Sequence, residues 1–88
     1  MPWRSNIKRL EFTLHARRML KERRIAEEWV MQALSHPART EQREDGTVHH
    51  LKAIPEHGGR MLRVVTNPKT DPPQIVTVFF DRRAKGEL

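Results

Sequence analysis

The sequence predicts a single α+β domain in which two N-terminal helices pack on one face of a mainly antiparallel sheet of four to five strands. Its 88 residues are enough for one domain and too few for two. Helical periodicity is confined to the first half of the chain, and the later apolar runs are short and bounded by glycine or proline. The core is expected to span about residues 8–81, with flexible ends at 1–7 and 82–88.

Two helices are expected near the N-terminus. Residues 8–13 alternate between polar and apolar side chains, which is typical of a short strand. Thr13 is then the expected N-cap of a first helix that runs from Leu14 to about Arg24. A second helix is predicted from Ala26 to about His36, because its apolar residues recur every three or four positions until Pro37 ends it.

The rest of the chain is predicted to form an antiparallel meander. Residues 39–44 and 47–54 are expected to pair as a hairpin, since Asp45-Gly46 between them favours a tight turn. Two more strands follow at 60–66 and 74–81, and the last is apolar on both faces, which predicts an interior position in the sheet. Strict alternation along this strand places three residues on one face: Ile75, Thr77 and Phe79.

Composition limits the compartment and the chemistry. There is no cysteine, which excludes disulfides, thiolate metal sites and cysteine nucleophiles and favours the cytoplasm. No apolar stretch is long enough to span a membrane, and no glycine-rich phosphate loop or paired-carboxylate site is recognisable. The adjacent His49 and His50 point to opposite faces of their strand and cannot share a metal ion. We therefore expect no cofactor, no metal and no membrane contact.

The charge of the chain predicts a polyanionic partner. Its net charge is +6, from 17 basic and 11 acidic residues, and RNA is the favoured partner. The first helix concentrates this charge, because Arg17, Arg18 and Lys21 have only Glu22 as a nearby carboxylate. Together with Lys52 on the hairpin, these three are the predicted phosphate-binding residues. The alternative is a solvated helix face with local ion pairs.

Two single residues stand out from their surroundings. His15 lies at the border between the core stripe and the charged stripe of the first helix, where a histidine can act as a general acid or base or simply fill a boundary position. Arg63 interrupts an apolar strand and must reach an acid, a carbonyl or a ligand, and a structural ion pair with Glu41 or Asp81 is one alternative. Whether Arg63 shares a face with Thr77 depends on the strand register, which the long loop leaves open.

Ordered motifs run through most of the chain, from about Phe12 to Asp81. They are His15-Ala-x-Arg18-Met-x-x-x-Arg23-Arg24-Ile25, Glu27-Glu28-x-Val30-x-x-Ala33-Leu34-x-x-Pro37, Gly46, Arg60-x-Leu62-Arg63-Val64-Val65 and Ile75-Val76-Thr77-Val78. This combination resembles the DUF4258 family of uncharacterised domains. That family is similar in layout to BrnT- and RelE-like toxins, the small ribonucleases of bacterial toxin–antitoxin pairs.

The resemblance implies a RelE/BrnT-like fold and cleavage of RNA without a metal ion. By the same resemblance the catalytic residues would be His15 as the acid–base group, Arg63 as a phosphate-binding group alongside Arg18, and Thr77 as a hydroxyl donor. The chain departs from the family pattern at Ala26, where a serine-type helix cap is expected.

The sequence is compatible with three alternative functions. The first is a metal-independent ribonuclease toxin whose basic surface is covered by an acidic antitoxin protein. The second is a non-catalytic nucleic-acid-binding module, and the third is an interaction protein that docks an acidic partner. The residues alone leave open whether the protein is an enzyme, which RNA it meets and what its oligomeric state is.

Overall fold

The computed structural model of the chain describes residues 10–82. The elements follow in the order β1 (Glu11–Phe12), α1 (Leu14–Glu22), α2 (Glu27–Ser35), β2 (Arg39–Gln42), β3 (Val48–Ile54), a 3₁₀ turn (Pro55–His57), β4 (Arg60–Asn67) and β5 (Gln74–Phe80). The predicted α+β class is confirmed. Residues 8 and 9 of the predicted first strand, and the predicted flexible ends apart from Arg82, lie outside the described range.

The five strands form one sheet in the order β1-β5-β4-β3-β2. Strands β2 to β5 pair antiparallel in succession, as the meander predicts, and β5 has the predicted interior position. β1 instead pairs parallel with β5, so the sheet is mixed and not purely antiparallel. Two helices and three strands separate β1 from β5 along the chain, so no short turn forces these two strands to run in opposite directions.

Thr13 starts α1 and also ties it to the sheet. Its backbone is extended, and its Oγ1 accepts a hydrogen bond from the amide of Ala16 at 3.0 Å, which confirms the predicted N-cap. The same hydroxyl donates to the carbonyl of Val76 in β5, also at 3.0 Å. α1 ends before the predicted Arg24, because that residue adopts a left-handed backbone (φ 55°) that turns the chain and buries Ile25.

α2 begins without a side-chain cap, since Ala26 offers no acceptor. Glu27 and Glu28 in its first turn lie at the positive end of the helix dipole, which stabilises that end. The helix ends before His36, whose φ is −137°, because the following Pro37 disfavours helical backbone at the preceding residue. Within residues 10–82, no helix is long and apolar enough to cross a membrane.

Both helices pack on the same face of the sheet, as predicted. Buried apolar side chains form one core between the layers: Ala16, Ile25, Val30, Ala33, Leu34, Ile54, Leu62, Val64, Ile75 and Val78. Because side chains alternate along a strand, the neighbours of Leu62 and Val64 in β4 point to the other side of the sheet. We call that side the helix-free face. Its central residues are Arg63 and Val65 of β4 with their strand partners His49, Leu51, Thr77 and Phe79.

A β-bulge in β5 changes which of its side chains face the core. Val65 of β4 pairs with Thr77, but the next residue of β4 pairs with Ile75, so Val76 is an extra residue. Ile75 and Val78 therefore both reach the core, and Thr77 lies on the helix-free face. The prediction that Thr77 shares a face with Ile75 is wrong, because strict alternation does not allow for the extra residue.

We expect Thr13→Ala to lower the free energy of unfolding by about 1–2 kcal/mol, because the variant loses the N-cap and the hydrogen bond to β5 together. Thr13→Ser keeps the hydroxyl and should cost less than about 0.5 kcal/mol. Urea unfolding followed by circular dichroism measures both. Equal losses in the two variants would show that the hydroxyl does not contribute.

Candidate functional site

The strand register brings predicted site residues together on the helix-free face. In one row across the sheet, His49 pairs with Val65, which pairs with Thr77. In the next row Arg63 pairs with Phe79. Arg63 and Thr77 therefore share a face, on adjacent strands and in a diagonal relationship. The register of β4 and β5 thus answers the question that the sequence leaves open.

His15 reaches the same region from α1. β1 ends at Phe12, so no further strand of the described chain covers the outer edge of β5 after Ile75, and α1 begins there. His15 is exposed, and its Nε2 lies 3.1 Å from Oγ1 of Thr77. Two of the three residues predicted to be catalytic are therefore in direct contact, although they are 62 positions apart in the sequence.

The exposed cations of α1 form a surface that we call the α1 cationic face: Arg17, Arg18 and Lys21. Arg17 lies over the ring of Phe12, 5.0 Å from the centroid, and 4.0 Å from a carboxylate oxygen of Glu27. Both side chains of that ion pair are more than half exposed, so it contributes little. Within residues 10–82, Arg18 and Lys21 form no ion pair. This face is thus available to an anionic partner.

Lys52 and Arg63, the other predicted phosphate-binding residues, lie apart from the α1 cationic face. Arg18 is about half a turn from Ala16, the residue that packs α1 against the sheet, and so points away from the sheet. Arg63 projects from the opposite side of the sheet. Lys52 is on the helix side of the sheet, because it pairs with the core residue Leu62. It is nevertheless distant from α1, because α1 packs on β5 and β4 lies between β5 and the strand of Lys52. The structure does not bring Arg18, Lys52 and Arg63 together.

Arg63 is buried and its charge is compensated within the fold. Its Nε donates to Oδ2 of Asp81 at 2.7 Å. Its Nη1 donates to Oε1 of Glu41 at 3.3 Å and to Nδ1 of His49 at 2.9 Å. Only 8% of the Arg63 side chain is exposed, so these acceptors replace most of the water that a guanidinium otherwise binds. Both ion-pair partners that the sequence offers, Glu41 and Asp81, are confirmed.

Glu41 is the centre of an arginine cluster at the edge of the helix-free face. Arg39 Nε donates to its Oε2 at 3.1 Å, and Arg43 Nη2 donates to its Oε1 at 2.7 Å. The hydrogen bond from Arg63, with the positive charges of Arg63 and Arg43, lowers the pKa of Glu41 below its usual value of 4.5. Sequence reasoning missed this cluster, although Arg39, Glu41 and Arg43 follow at intervals of two, which places them on one face of an extended chain.

His49 and His50 lie on opposite faces of β3, as predicted. His50 is buried on the helix side, with its Nε2 3.0 Å from Oγ1 of Thr66. Burial, followed by the charges of Arg63 and Arg43, lowers the pKa of His49 below its ordinary value of 6.5. Burial also lowers the pKa of His50, with a further contribution from His49. Within residues 10–82, no group of three or more His, Asp or Glu side chains could hold a metal ion.

A comparison with known families covers nearly all of these residues, with Asp81 just beyond the matched range. The sequence model of a domain of unknown function, DUF4258, matches residues 12–80. The chain belongs to the DUF4258 family. The matched part begins in β1 and ends with β5, so this DUF4258 domain includes both the helix-free face and the α1 cationic face. No curated protein and no solved structure matches the chain.

In this DUF4258 domain we expect Arg63→Met to lower the free energy of unfolding by about 3–5 kcal/mol, because it leaves the carboxylates of Asp81 and Glu41 without their shared cation. Urea unfolding at neutral pH measures the loss. Arg39→Met removes an exposed cation from the same cluster and should cost less than about 1 kcal/mol. Similar losses in the two variants would contradict a central role for Arg63.

The lowered pKa values of His49 and His50 predict a loss of stability in mild acid. Both imidazoles bind protons more readily in the unfolded chain than in the folded one. Their contribution to the free energy of unfolding is therefore complete above the ordinary pKa of 6.5, and it is lost as the pH falls through their lower pKa values in the folded protein. We expect His49→Gln to reduce the difference in unfolding free energy between about pH 7.5 and about pH 5.5. Urea unfolding at the two pH values measures it. If the difference in unfolding free energy is unchanged, or if the control His36→Gln changes it equally, the pH dependence does not come from His49.

Proposed function

We propose that this protein binds RNA and cleaves it without a metal ion, as BrnT- and RelE-like toxin ribonucleases do. The observation that carries the proposal is the hydrogen bond between His15 and Thr77 at the outer edge of β5. It joins an exposed acid–base side chain to a hydroxyl that can hold its ring. Both lie near the α1 cationic face, because His15 belongs to the same helix.

Cleavage of RNA next to a 2′-hydroxyl needs only proton transfer and stabilisation of charge. The 2′-oxygen attacks the adjacent phosphorus while the bond from phosphorus to the 5′-oxygen breaks. A base takes the proton of the 2′-hydroxyl, and an acid supplies a proton to the departing 5′-oxygen. The products are a 2′,3′-cyclic phosphate and a 5′-hydroxyl. No oxidant, reductant or cofactor is needed.

His15 is the residue that we assign to these proton transfers. Histidine is the side chain that ordinarily exchanges a proton between pH 5 and pH 8. In the free protein Oγ1 of Thr77 is the partner of Nε2, and the 2′-hydroxyl of a bound ribose is a chemically equivalent partner for the same nitrogen. Thr77 therefore holds the ring ready before the substrate arrives, which limits the reorganisation needed for reaction.

The α1 cationic face supplies binding in this proposal. Arg18 and Lys21 are exposed and form no ion pair with another described residue, so they can contact phosphates without first breaking an internal contact. Arginine offers paired donors to phosphate oxygens, and lysine offers a point charge. Neither contact reads a base, so this surface favours binding along the backbone of the nucleic acid.

A protein partner is the second candidate, and Leu14 favours it. Its side chain is 83% exposed. It lies three and four positions before Arg17 and Arg18, on the same side of α1. An acidic protein with an apolar side chain at its centre would cover both the charge and this leucine. An antitoxin that blocks the basic surface has this chemistry.

We expect the purified protein to cleave a labelled oligoribonucleotide in the presence of EDTA. His15→Ala should reduce the single-turnover rate about 10²–10⁴-fold, because it removes the acid–base group. Thr77→Val keeps the shape of the side chain and should reduce the rate about tenfold, because the ring of His15 loses its hydrogen-bond partner. His36→Ala removes an exposed histidine at the end of α2 and is the matched control, with wild-type activity expected.

Two results would contradict cleavage and select another function. RNA that is bound, with an affinity that falls steeply with salt, but never cut indicates a nucleic-acid-binding module. A protein that ignores RNA but forms a nuclease-resistant complex with an acidic protein is an interaction module. Equal rates for wild type and His15→Ala would remove His15 from the mechanism.

A further inference from the structure

We propose that Trp29, His57 and Phe80 form a platform on which one base of single-stranded RNA stacks. We call these three rings the aromatic platform. Lys52 and Arg60 are its phosphate contacts. This inference rests on the RNA-binding part of the proposed function and is independent of cleavage. The platform supplies a contact with a base, which the α1 cationic face does not offer, and it gives Lys52 a place in binding apart from α1.

The aromatic platform joins three elements of the fold at one end of the sheet. Trp29 belongs to α2, His57 ends the 3₁₀ turn, and Phe80 ends β5. The rings of His57 and Phe80 are stacked, with centroids 4.3 Å apart and an angle of 16° between their planes. Trp29 is tilted against both, with its centroid 5.7 Å from that of His57 and 6.1 Å from that of Phe80. All three residues are only partly buried.

Neither of the other two rings covers the outer face of His57. Phe80 covers the inner face. Trp29 lies beside the stacked pair, because a ring on the far side of His57 would be much farther from Phe80 than the observed 6.1 Å. The turn is exposed on either side of His57, and a β-carbon at Gly58 would meet no atom of a non-neighbouring residue within 4 Å. A base placed there would extend the existing stack by one ring.

The turn itself holds His57 over the end of the sheet. Gly58 and Gly59 have positive φ angles of 68° and 74°, which reverse the chain just after His57. The amide of Gly59 donates to the carbonyl of Ile54 at 2.9 Å and closes the turn. The backbone therefore presents the ring before a ligand arrives, which lowers the entropy cost of binding.

Two cations lie at the same end of the sheet without an internal counter-charge. Lys52 and Phe80 are in one row across the sheet, two strands apart, on the helix side. Arg60 begins β4, three residues after His57, and is exposed. Neither cation forms an ion pair with another residue of the range 10–82. The turn also carries Glu56, an exposed carboxylate, but the two cations outnumber it, so the surroundings favour an anionic ligand.

A nucleobase with its phosphates is the ligand that this combination fits. Unpaired bases of RNA stack on aromatic side chains, histidine among them, while lysine and arginine contact the backbone on either side. Every base has a flat face, so we expect the platform to bind with little preference for sequence. An acidic protein would also satisfy the cations, but its binding would not depend on the ring of His57.

Binding of DNA strands tests the platform without cleavage, because they lack the 2′-hydroxyl. The probes are a short oligothymidylate and an abasic strand of the same length and charge. Trp29 and Phe80 also pack against the core, so His57 is the ring to change. His57→Ala should raise the Kd of the oligothymidylate about 5–100-fold and leave the Kd of the abasic strand unchanged. His57→Phe keeps a planar ring and should keep the preference for bases, and the control His36→Ala should change neither Kd.

Two further measurements separate stacking from charge. Lys52→Met should weaken both probes equally and reduce the slope of log Kd against log salt concentration by about one. The imidazole proton resonances of His57 should shift upfield on addition of the oligothymidylate, because of the ring current of a stacked base. The abasic strand should leave them in place. Equal shifts with both probes would contradict stacking.

Failure of this inference can be told apart from failure of the proposed function, which is measured by cleavage in EDTA with His15→Ala. If wild type binds both probes equally, or if His57→Ala weakens both equally, the platform is wrong and the ribonuclease proposal stands or falls on cleavage alone. If His57→Ala removes the preference for bases but wild type cleaves no RNA, the platform is supported and the cleavage proposal fails. If neither probe binds, the inference is overturned.

Discussion

A guanidinium buried in the middle of β4 is the constraint on which the helix-free face depends. Arg63 can lie there because Asp81, Glu41 and His49 each supply an acceptor. These three residues come from three different parts of the sheet, so the acceptors converge only when β2 to β5 pair in one register. A slipped pairing leaves a charge without partners in a poorly hydrated place, and the ion pairs therefore favour the observed register.

Local signals in the sequence predict most of the fold. The N-cap at Thr13, the stop at Pro37 and the turn at Asp45-Gly46 act over a few residues, and the elements begin or end close to each of them. The opposite orientation of His49 and His50 also follows from a local rule, the alternation of side chains along a strand. The pairing of Arg63 with Glu41 and Asp81 follows from a different rule, because a buried charge must have a partner and few carboxylates are near enough in the sheet.

What the sequence could not predict depends on contacts between distant strands. The hydrogen bond between His15 and Thr77 depends on the parallel pairing of β1 with β5, and no turn signal in the sequence predicts that pairing. The contact between Arg63 and His49 needs the register of β3 against β4. The separation of Arg18 from Arg63 depends on the placement of α1 on the other side of the sheet. Each of these depends on register or layer, which periodicity alone does not determine.

The extra residue at Val76 ties the chemistry of β5 to the packing of the core. Ile75 and Val78 are three positions apart, and both can be buried on one face of a strand only if one residue between them is left out of the ladder. Apolar burial thus maintains the bulge and, with it, the outward orientation of the Thr77 hydroxyl. Relatives that lack this one residue would have the polar and apolar positions of the strand interchanged beyond that point. In an alignment of such relatives, a single gap here would therefore separate chains that can present the hydroxyl to His15 from chains that bury it.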